Sequence, residues 1–135
     1  MADLIAIRAK IAERLQTIEG LRSSRVLESN PNPPIAMVGG PELDFDLTLG
    51  RGADRFDLPI LLVAGEFVDR VAQDRLDGFF YPIKEALEDH AWWATLGDLF
   101  HTLRVKGVTE YGPTQFPFDP NVVYLTATIP CEVVA

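Results

Sequence analysis

The strongest constraint on the fold is a stretch about a third of the way along the chain in which apolar and polar residues alternate strictly. The apolar positions are Leu43, Phe45, Leu47 and Leu49, and the polar ones between them are Asp44, Asp46 and Thr48. Successive side chains of a strand point to opposite faces, so a period of two predicts a strand with one buried face and one wet, acidic face. The chain is therefore expected to build a sheet.

The residues after this strand predict its antiparallel partner. Residues 50–54 favour a turn, and residues 55–63 are expected to return beside the first strand. The unbroken apolar run from 60 to 63 predicts burial on both faces of the sheet. Pro59, and Pro130 in the last predicted strand, lack an amide hydrogen, so we expect a sheet edge or a bulge at each.

Residues 2–19 predict a first helix, because their apolar residues recur at intervals of three and four. Asp3 is its expected N-cap and Gly20 its expected end. The opening residues mix charges with this spacing, which is not the pattern of a signal peptide. The apolar stretches fall short of the length of a membrane span, so we expect folding in the cytoplasm and no membrane partner.

A second helix is predicted downstream, on one apolar stripe. The stripe comprises Val68, Val71, Ala72, Arg75, Leu76 and Phe79. Pro82 is expected to interrupt this helix, because proline removes a helical hydrogen bond. A further helical segment is predicted from 83 to 88, followed by the bulky residues 90–93.

The remaining elements are predicted strands. Residues 35–38, the stretch from Leu103 to Tyr111 and residues 122–134 all favour extended structure. The order is helix, strands, helices, strands, which predicts the α+β class in a single domain, 1–135. We expect a mainly antiparallel sheet of about four to six strands, with the N-terminal helix and a central helical pair packed on one face.

The charge balance argues against nucleic-acid binding. Twelve basic residues against twenty acidic ones give a net charge of −8 at pH 7. Binding to DNA depends on lysine and arginine to neutralise phosphates, and an acidic surface instead repels DNA that passes close by. We therefore expect no specific contact with DNA.

Residues that could carry chemistry are sparse. His90, His101 and the single cysteine, Cys131, have none of the spacings typical of a metal site, and no phosphate-binding loop motif occurs. Asp44 and Asp46 could act as an acid–base pair if both were buried, but they are more typical of a wet strand face. We expect no cofactor, no metal and no catalysis.

Two aromatic groups allow several interpretations. The pair Trp92–Trp93 and the run of residues 79–81 could line a pocket, fill the core or meet a partner protein. Adjacent aromatic residues on a helix point in different directions, so one member of the tryptophan pair is expected inside and the other at a surface. Core and interface both stay open here.

Five segments of the chain resemble the tail-terminator proteins of long-tailed actinobacterial phages. In chain order they are NPNPPIAMVG, FDLTLGRGADRFDLPILLVA, GEFVDRVAQDRLDGFFYPIKEALED, LRVKGVTEYG and YLTATIPCEVVA. The resemblance extends from about residue 20 to the end. It implies a virion protein, assembled in the host cytoplasm, that forms a hexameric ring at the head-proximal end of the tail. Such a ring caps the tail tube, ends its polymerisation and joins tail to head.

A ring of this kind implies partners and surfaces. The expected partners are further copies of the chain, the tail tube protein and a head–tail connector protein, with DNA passing through the lumen. Candidate subunit-interface residues are Arg70, Asp74, Arg75, Trp92 and Trp93. Candidate lumen-facing residues are Glu42, Asp44 and Asp46. The alternatives are another connector ring, such as a stopper or completion protein, and a small α+β ligand-binding or enzyme domain with an aromatic pocket.

Overall fold

The structure is a computed structural model that describes residues 3–27, 33–44, 55–68, 70–117 and 119–135. Its helices are α1 (Leu4–Leu15), α2 (Arg70–Leu87) and α3 (His90–Ala94). Its strands are β1 (Arg22–Ser24), β2 (Ile35–Val38), β3 (Glu42–Asp44), β4 (Arg55–Glu66), β5 (Thr102–Val105), β6 (Thr109–Phe116) and β7 (Asp119–Val134).

The strands form one sheet around two long antiparallel neighbours, β4 and β7. On the outer side of β4 lie β2 and β3, which pair with successive parts of it, and β1 pairs in parallel with β2. On the outer side of β7 lie β5 and β6, again one after the other. The sheet is therefore mixed but mostly antiparallel, and within the described ranges β1 lies at one edge and β5 and β6 at the other.

The helices cover one face of this sheet and enclose the main core. α1 packs on β1 and β2, while α2 packs on β4, β7 and β5. Alternate residues of β4, from Phe56 to Ala64, point into this layer and are buried. Burying one large aliphatic or aromatic side chain contributes roughly 1.5–3 kcal/mol, so this layer is the main source of stability. The predicted α+β class, with helices on one face of a mainly antiparallel sheet, is confirmed.

A second, smaller cluster lies on the opposite face of the sheet. Ile35, Met37 and Val63 are buried there, with Phe116 and Tyr124 packed against them. Ile60 and Leu62 of the same strand segment belong to the main core. The predicted burial on both faces of residues 60–63 is therefore confirmed.

The first helix is capped as predicted but is shorter. The Asp3 carboxylate accepts the amide hydrogen of Ala6 at 3.1 Å. The helix ends at Leu15, not at 19, because the amides of Thr17 and Ile18 bond three residues back and tighten the chain into turns. Gly20, with φ +80°, lies at the end of these turns, where a residue without a Cβ is unstrained.

The predicted break at Pro82 is wrong, because α2 runs through it without ending. A proline at this position leaves the carbonyl of Gly78, four residues earlier, without its helical donor. Both Gly78 and Pro82 are exposed, so water can bind that carbonyl. The segment 83–88 is thus the end of α2, and the short partner helix α3 begins only at His90.

Two other predictions about the strands are wrong. Pro59 and Pro130 both lie inside the central strands, and the irregularity between β4 and β7 falls between Val63 and Gly65 instead. The predicted strand from 103 to 111 is two strands, β5 and β6, separated by residues 106–108. Of the predicted hairpin, β3 and β4 pair as expected, whereas residues 45–54 lie outside the described part of the chain.

Candidate interaction surfaces

The histidines, cysteine and carboxylates are the side chains that could carry chemistry, and the structure shows how several of them are placed. No group of three or more histidine, cysteine, aspartate or glutamate residues lies together there in a way that could hold a metal ion. His90 stacks on Trp93, with ring centroids 4.4 Å apart. Cys131 is fully buried, and burial, reinforced by nearby Glu88 and Asp57, raises the pKa of its thiol to about 12. Because the thiolate is the nucleophile, this cysteine is chemically quiet in the folded chain.

The two tryptophans are both half-buried, so the expected division into one inside and one outside is not observed. The Trp93 indole donates to the carbonyl of Leu87 at 2.7 Å. Trp92 packs against Phe100, and the Arg14 guanidinium lies 5.5 Å from the centre of its ring. Most of the contact capacity of this pair is therefore used within the chain, at the corner where α2 ends and α3 begins.

Arg14 holds this corner together. It donates to the Ala86 carbonyl at 3.0 Å and to the Asp89 carboxylate at 2.9 Å. Asp89 also caps α3 by accepting the amide hydrogen of Ala91. One side chain of α1 thus fixes the relative position of all three helices.

Exposed apolar side chains gather at the β1 edge of the sheet. There Ile5, Arg8, Arg25 and Val26 line a groove of about 230 Å³, and Leu27 follows them in the chain. Ile5 is 72% exposed although it belongs to a packed helix. We call these five residues the β1-edge patch.

The two arginines of the β1-edge patch differ in how firmly their side chains are held. One terminal nitrogen of Arg8 donates to the Val38 carbonyl at 3.2 Å, and its Nε is buried without a hydrogen-bond partner. Its guanidinium is therefore held in place as a fixed positive charge. Arg25 is exposed in the turn after β1. The patch combines apolar area with arginine, a composition enriched in the centres of protein interfaces.

A second exposed apolar group lies at the opposite, β6 edge. There Phe67, Val68, Arg70, Gln73 and Tyr111 surround a groove of about 230 Å³ between the start of α2 and β6. Val68 is 84% exposed and Phe67 about half exposed. We call these five residues the β6-edge patch.

Carboxylates accompany the β6-edge patch. The Tyr111 hydroxyl donates to Asp77 at 3.0 Å. The pKa of Tyr111 is raised by partial burial first, and then by the hydrogen bond to Asp77 and the negative charges of Asp77 and Asp74. Both aspartates therefore act on this side of α2, where Arg70 lines the groove.

Three predicted interface residues lie on α2, and all three are exposed. Arg70 belongs to the β6-edge patch and Asp74 lies beside it. Arg75 is two positions from both Gln73 and Asp77, so on a helix it points away from β6. The structure brings Arg70 and Asp74 to one surface and leaves Arg75 on the other flank.

The predicted lumen residues lie along β3 and beyond it. Glu42 pairs with Asp57 and Asp44 with Arg55 in the backbone register of β3 and β4. Asp46 lies outside the described residues. The assignment of these three residues to a lumen stays a prediction.

An open groove of about 350 Å³ lies between α2 and the connection from β5 to β6. Phe80, Tyr81, Lys84, Ile129 and residues 105–108 line it. Lys84 is paired with Glu88 at 2.7 Å, and Lys106 with Asp57 at 3.5 Å. Phe80 and Tyr81 of the aromatic run therefore border a groove, as one interpretation had it, and the tryptophan pair is not among the residues that line this groove.

Both patches contain apolar residues whose exposure periodicity alone does not predict. Ile5 falls off the apolar stripe of α1, and Val26 and Leu27 are apolar in a segment with no strand or helix pattern. Val68 fits the predicted apolar stripe of the second helix but is exposed. It lies before the helix, whose buried residues begin at Ala72 and continue through Leu76, Phe79, Ile83 and Leu87.

Comparison with known proteins gave no match, either to a protein family or to a curated protein. Among the described residues, no helix has the length and apolar character that a bilayer crossing requires.

Proposed function

We propose that this chain is a structural subunit of a phage virion, a tail terminator that forms a ring on the head-proximal end of the tail tube. In this role it ends tube polymerisation and provides the surface to which a head–tail connector binds. The ring is hexameric, the lumen passes DNA without binding it, and the chain performs no catalysis.

The observation that carries the proposal is the presence of two different exposed apolar patches at opposite edges of one sheet. A closed ring of identical subunits needs head-to-tail contacts, in which one patch of each copy meets a different patch of the next. Single exposed apolar residues are common on soluble proteins, but grouped ones indicate interaction sites. Two groups, separated by β2, β4 and β7, match what a ring subunit requires.

The arrangement of polar groups also favours a structural role over a catalytic one. The half-buried polar side chains of the helical corner, Arg14 and Asp89, bind each other and the backbone. The buried thiol of Cys131 is protonated at neutral pH. Groups that serve catalysis are instead aimed into a cleft with shifted pKa values near the working pH.

The rival function from a different class is a small ligand-binding or enzyme domain. The groove beside Phe80 and Tyr81 is the feature that favours it, because its volume lies within the range of small-molecule sites. However, Tyr81 at its rim is 75% exposed, and both lysines of the groove are already paired. A rim this exposed is better suited to contact with another protein. A further connector ring, such as a stopper, is the alternative within the structural class.

The experiment that tests the proposal is tube growth from purified tube protein of the same phage, with and without this chain. We expect tubes to elongate without limit in its absence and to stop growing at the end that it occupies. Tubes that elongate equally in both samples would contradict the terminator function. A head-side component that binds only to capped tubes would distinguish a terminator from a stopper.

The lumen prediction has its own test. Replacing Asp44 and Asp46 together by lysine should slow genome release, because a basic lumen attracts the phosphates of passing DNA. The matched control is replacement of both by asparagine, which removes charge without adding attraction. Equal rates of genome release for the lysine variant and the wild type would remove these residues from the lumen.

A further inference from the structure

We propose that the β1-edge patch of one subunit binds the β6-edge patch of the next, so that these two patches form the seam of the ring. This inference rests on the proposed ring function and specifies the surfaces that it uses. The occupant of each patch is a second copy of this chain.

The position of the patches is the first argument. β1 and β6 are separated by β2, β4 and β7, four inter-strand spacings or roughly 19 Å across the sheet. When one edge of each copy binds the opposite edge of the next copy, the same contact repeats in one direction along the series of copies. Such a contact closes into a ring when the rotation per subunit divides the circle.

Charge is the second argument. The described part of the β1-edge patch carries the two cations Arg8 and Arg25 and no carboxylate. Negative charge on the partner complements these cations, and another copy of this chain carries a net charge of −8 at pH 7. At the β6 edge, Asp74 and Asp77 accompany the apolar residues, and Arg70 offsets one of them. The two patches are thus complementary in charge as well as apolar character.

Shape and rigidity are the third argument. Each patch combines a groove with protruding apolar side chains: Ile5 and Leu27 stand out at one edge, and Phe67 and Val68 at the other. Arg8 is fixed by the Val38 carbonyl, and Tyr111 by Asp77 and by an edge-on contact with Phe80. Residues held in place lose little entropy on binding, which favours their use as anchors.

Cross-linking tests the seam directly. Ile5→Cys and Val68→Cys in the same chain place one thiol in each patch, at positions exposed enough to leave the fold intact. Cys131 is buried with a pKa near 12 and does not compete. On capped tubes treated with a short bismaleimide, we expect a ladder of covalent products from dimer upward to the complete ring.

The controls make the result specific. Each single-cysteine variant can form at most a dimer, because one thiol cannot extend a chain of links. A matched double variant, Ile5→Cys with Tyr81→Cys, keeps the thiol in the β1-edge patch and moves the other thiol out of the β6-edge patch to a later position on α2, where we expect no ladder. A ladder from this control, or none from Ile5→Cys with Val68→Cys, would overturn the seam.

Charge reversal gives a second measurement. Arg25→Glu should lower the amount of chain bound per tube end at least about tenfold, because it places like charges across the seam. Arg22→Glu makes the same change three residues earlier. Its neighbour Ser23 bonds the Ala12 carbonyl of α1, so Arg22 points to the other face of the sheet. Equal binding of the two variants would contradict the seam.

Failure of the seam and failure of the ring function give different results in these samples. If wild-type chain caps tubes but the cysteine pair gives no ladder, the ring function stands and this seam is wrong. If wild-type chain does not associate with tubes at all, the proposed function itself is wrong.

Discussion

Pro59 and Pro130 lie directly opposite each other in the two central strands of the sheet. Neither has an amide hydrogen, and the carbonyl of each accepts a bond from outside the pair, from Gly39 at 2.7 Å and Lys106 at 2.9 Å. They are therefore a non-hydrogen-bonded pair, whose backbone polar groups face away from each other. The nitrogen of Pro59 faces the gap between β2 and β3, and the nitrogen of Pro130 faces the gap between β5 and β6. Both strands thus contain proline without losing a hydrogen bond between β4 and β7.

This arrangement predicts a steric limit at Gly39. A Cβ there would lie 2.9 Å from Cγ of Pro59 and 3.2 Å from its carbonyl oxygen, and the proline ring cannot move aside. Gly39→Ala should lower the free energy of unfolding by about 1–3 kcal/mol, measured by urea denaturation. Gly40→Ala meets nothing within 4 Å and should change it by less than about 0.5 kcal/mol. Pro59→Ala should relieve part of the Gly39→Ala loss, and additive effects would contradict the contact.

Glu88 of the segment after α2 binds the backbone of β5, and we expect this contact to depend on pH. Its carboxylate accepts the amide hydrogen of Val105 at 3.1 Å and pairs with Lys84. Burial raises the pKa of Glu88. The hydrogen bonds from Lys84 and from the Val105 amide, together with the positive charges of Lys84 and Arg104, outweigh burial and lower the pKa below 4.5. The link therefore stabilises the fold above the unfolded pKa and is lost as pH falls through the folded one.

Glu88→Ala should cost about 1–2 kcal/mol of unfolding free energy at pH 7. Glu88→Gln keeps an acceptor for Val105 but loses the charge, so it should cost less. The difference between wild type and Glu88→Gln should vanish in acid, below the folded pKa. A difference that persists unchanged at low pH would show that the carboxylate charge has no part in the link.

The two hydrogen bonds of Arg14 lead us to expect that a positive charge alone is not enough to stabilise the corner between the helices. Arg14→Lys keeps a cation but cannot bind the Ala86 carbonyl and Asp89 together, so it should lower the unfolding free energy by about 1–2 kcal/mol. Tryptophan fluorescence can follow the change, since Trp92 lies under the guanidinium. Lys10→Ala, which removes only an exposed pair with Glu13, should cost less than about 0.5 kcal/mol. Equal losses for the two variants would contradict this role.

Because Cys131 is buried, we expect the reaction of its thiol to report on unfolding. Burial holds its pKa at about 12, so at pH 8 the folded chain should react with a thiol reagent only when it opens. We expect full reaction in denaturant and very slow reaction without it, measured by absorbance of the released thiolate. Fast reaction of the native chain would show that the centre of β7 is accessible.

The periodicities were enough to predict the class and much of the sheet. An apolar stripe at helical spacing and a polar–apolar alternation are local patterns, and both specify which face of an element is buried. The cap at Asp3 was predictable for the same reason, because it acts on an amide three residues away. Burial of residues 60–63 on both faces followed from an unbroken apolar run.

The predictions were wrong where the effect of a residue depends on its surroundings in the folded chain and not on its neighbours in the sequence. Whether Pro82 breaks a helix depends on solvent reaching the Gly78 carbonyl, and whether Pro59 breaks a sheet depends on the pairing phase with Pro130. The two patches were missed because the predictions followed residues that fit a pattern. Ile5 and Val26 do not fit one, and Val68 fits the helical stripe but lies before the helix; all three are exposed.

The central claim is that this chain acts through its surfaces, repeated around an axis at the end of a tube. The most direct test is electron microscopy of tubes mixed with the purified chain, averaged over the tube ends. The account predicts a single closed layer of added density, with six copies around the axis, at one end of each tube. Bare ends, with the chain left in solution as a monomer, would contradict it.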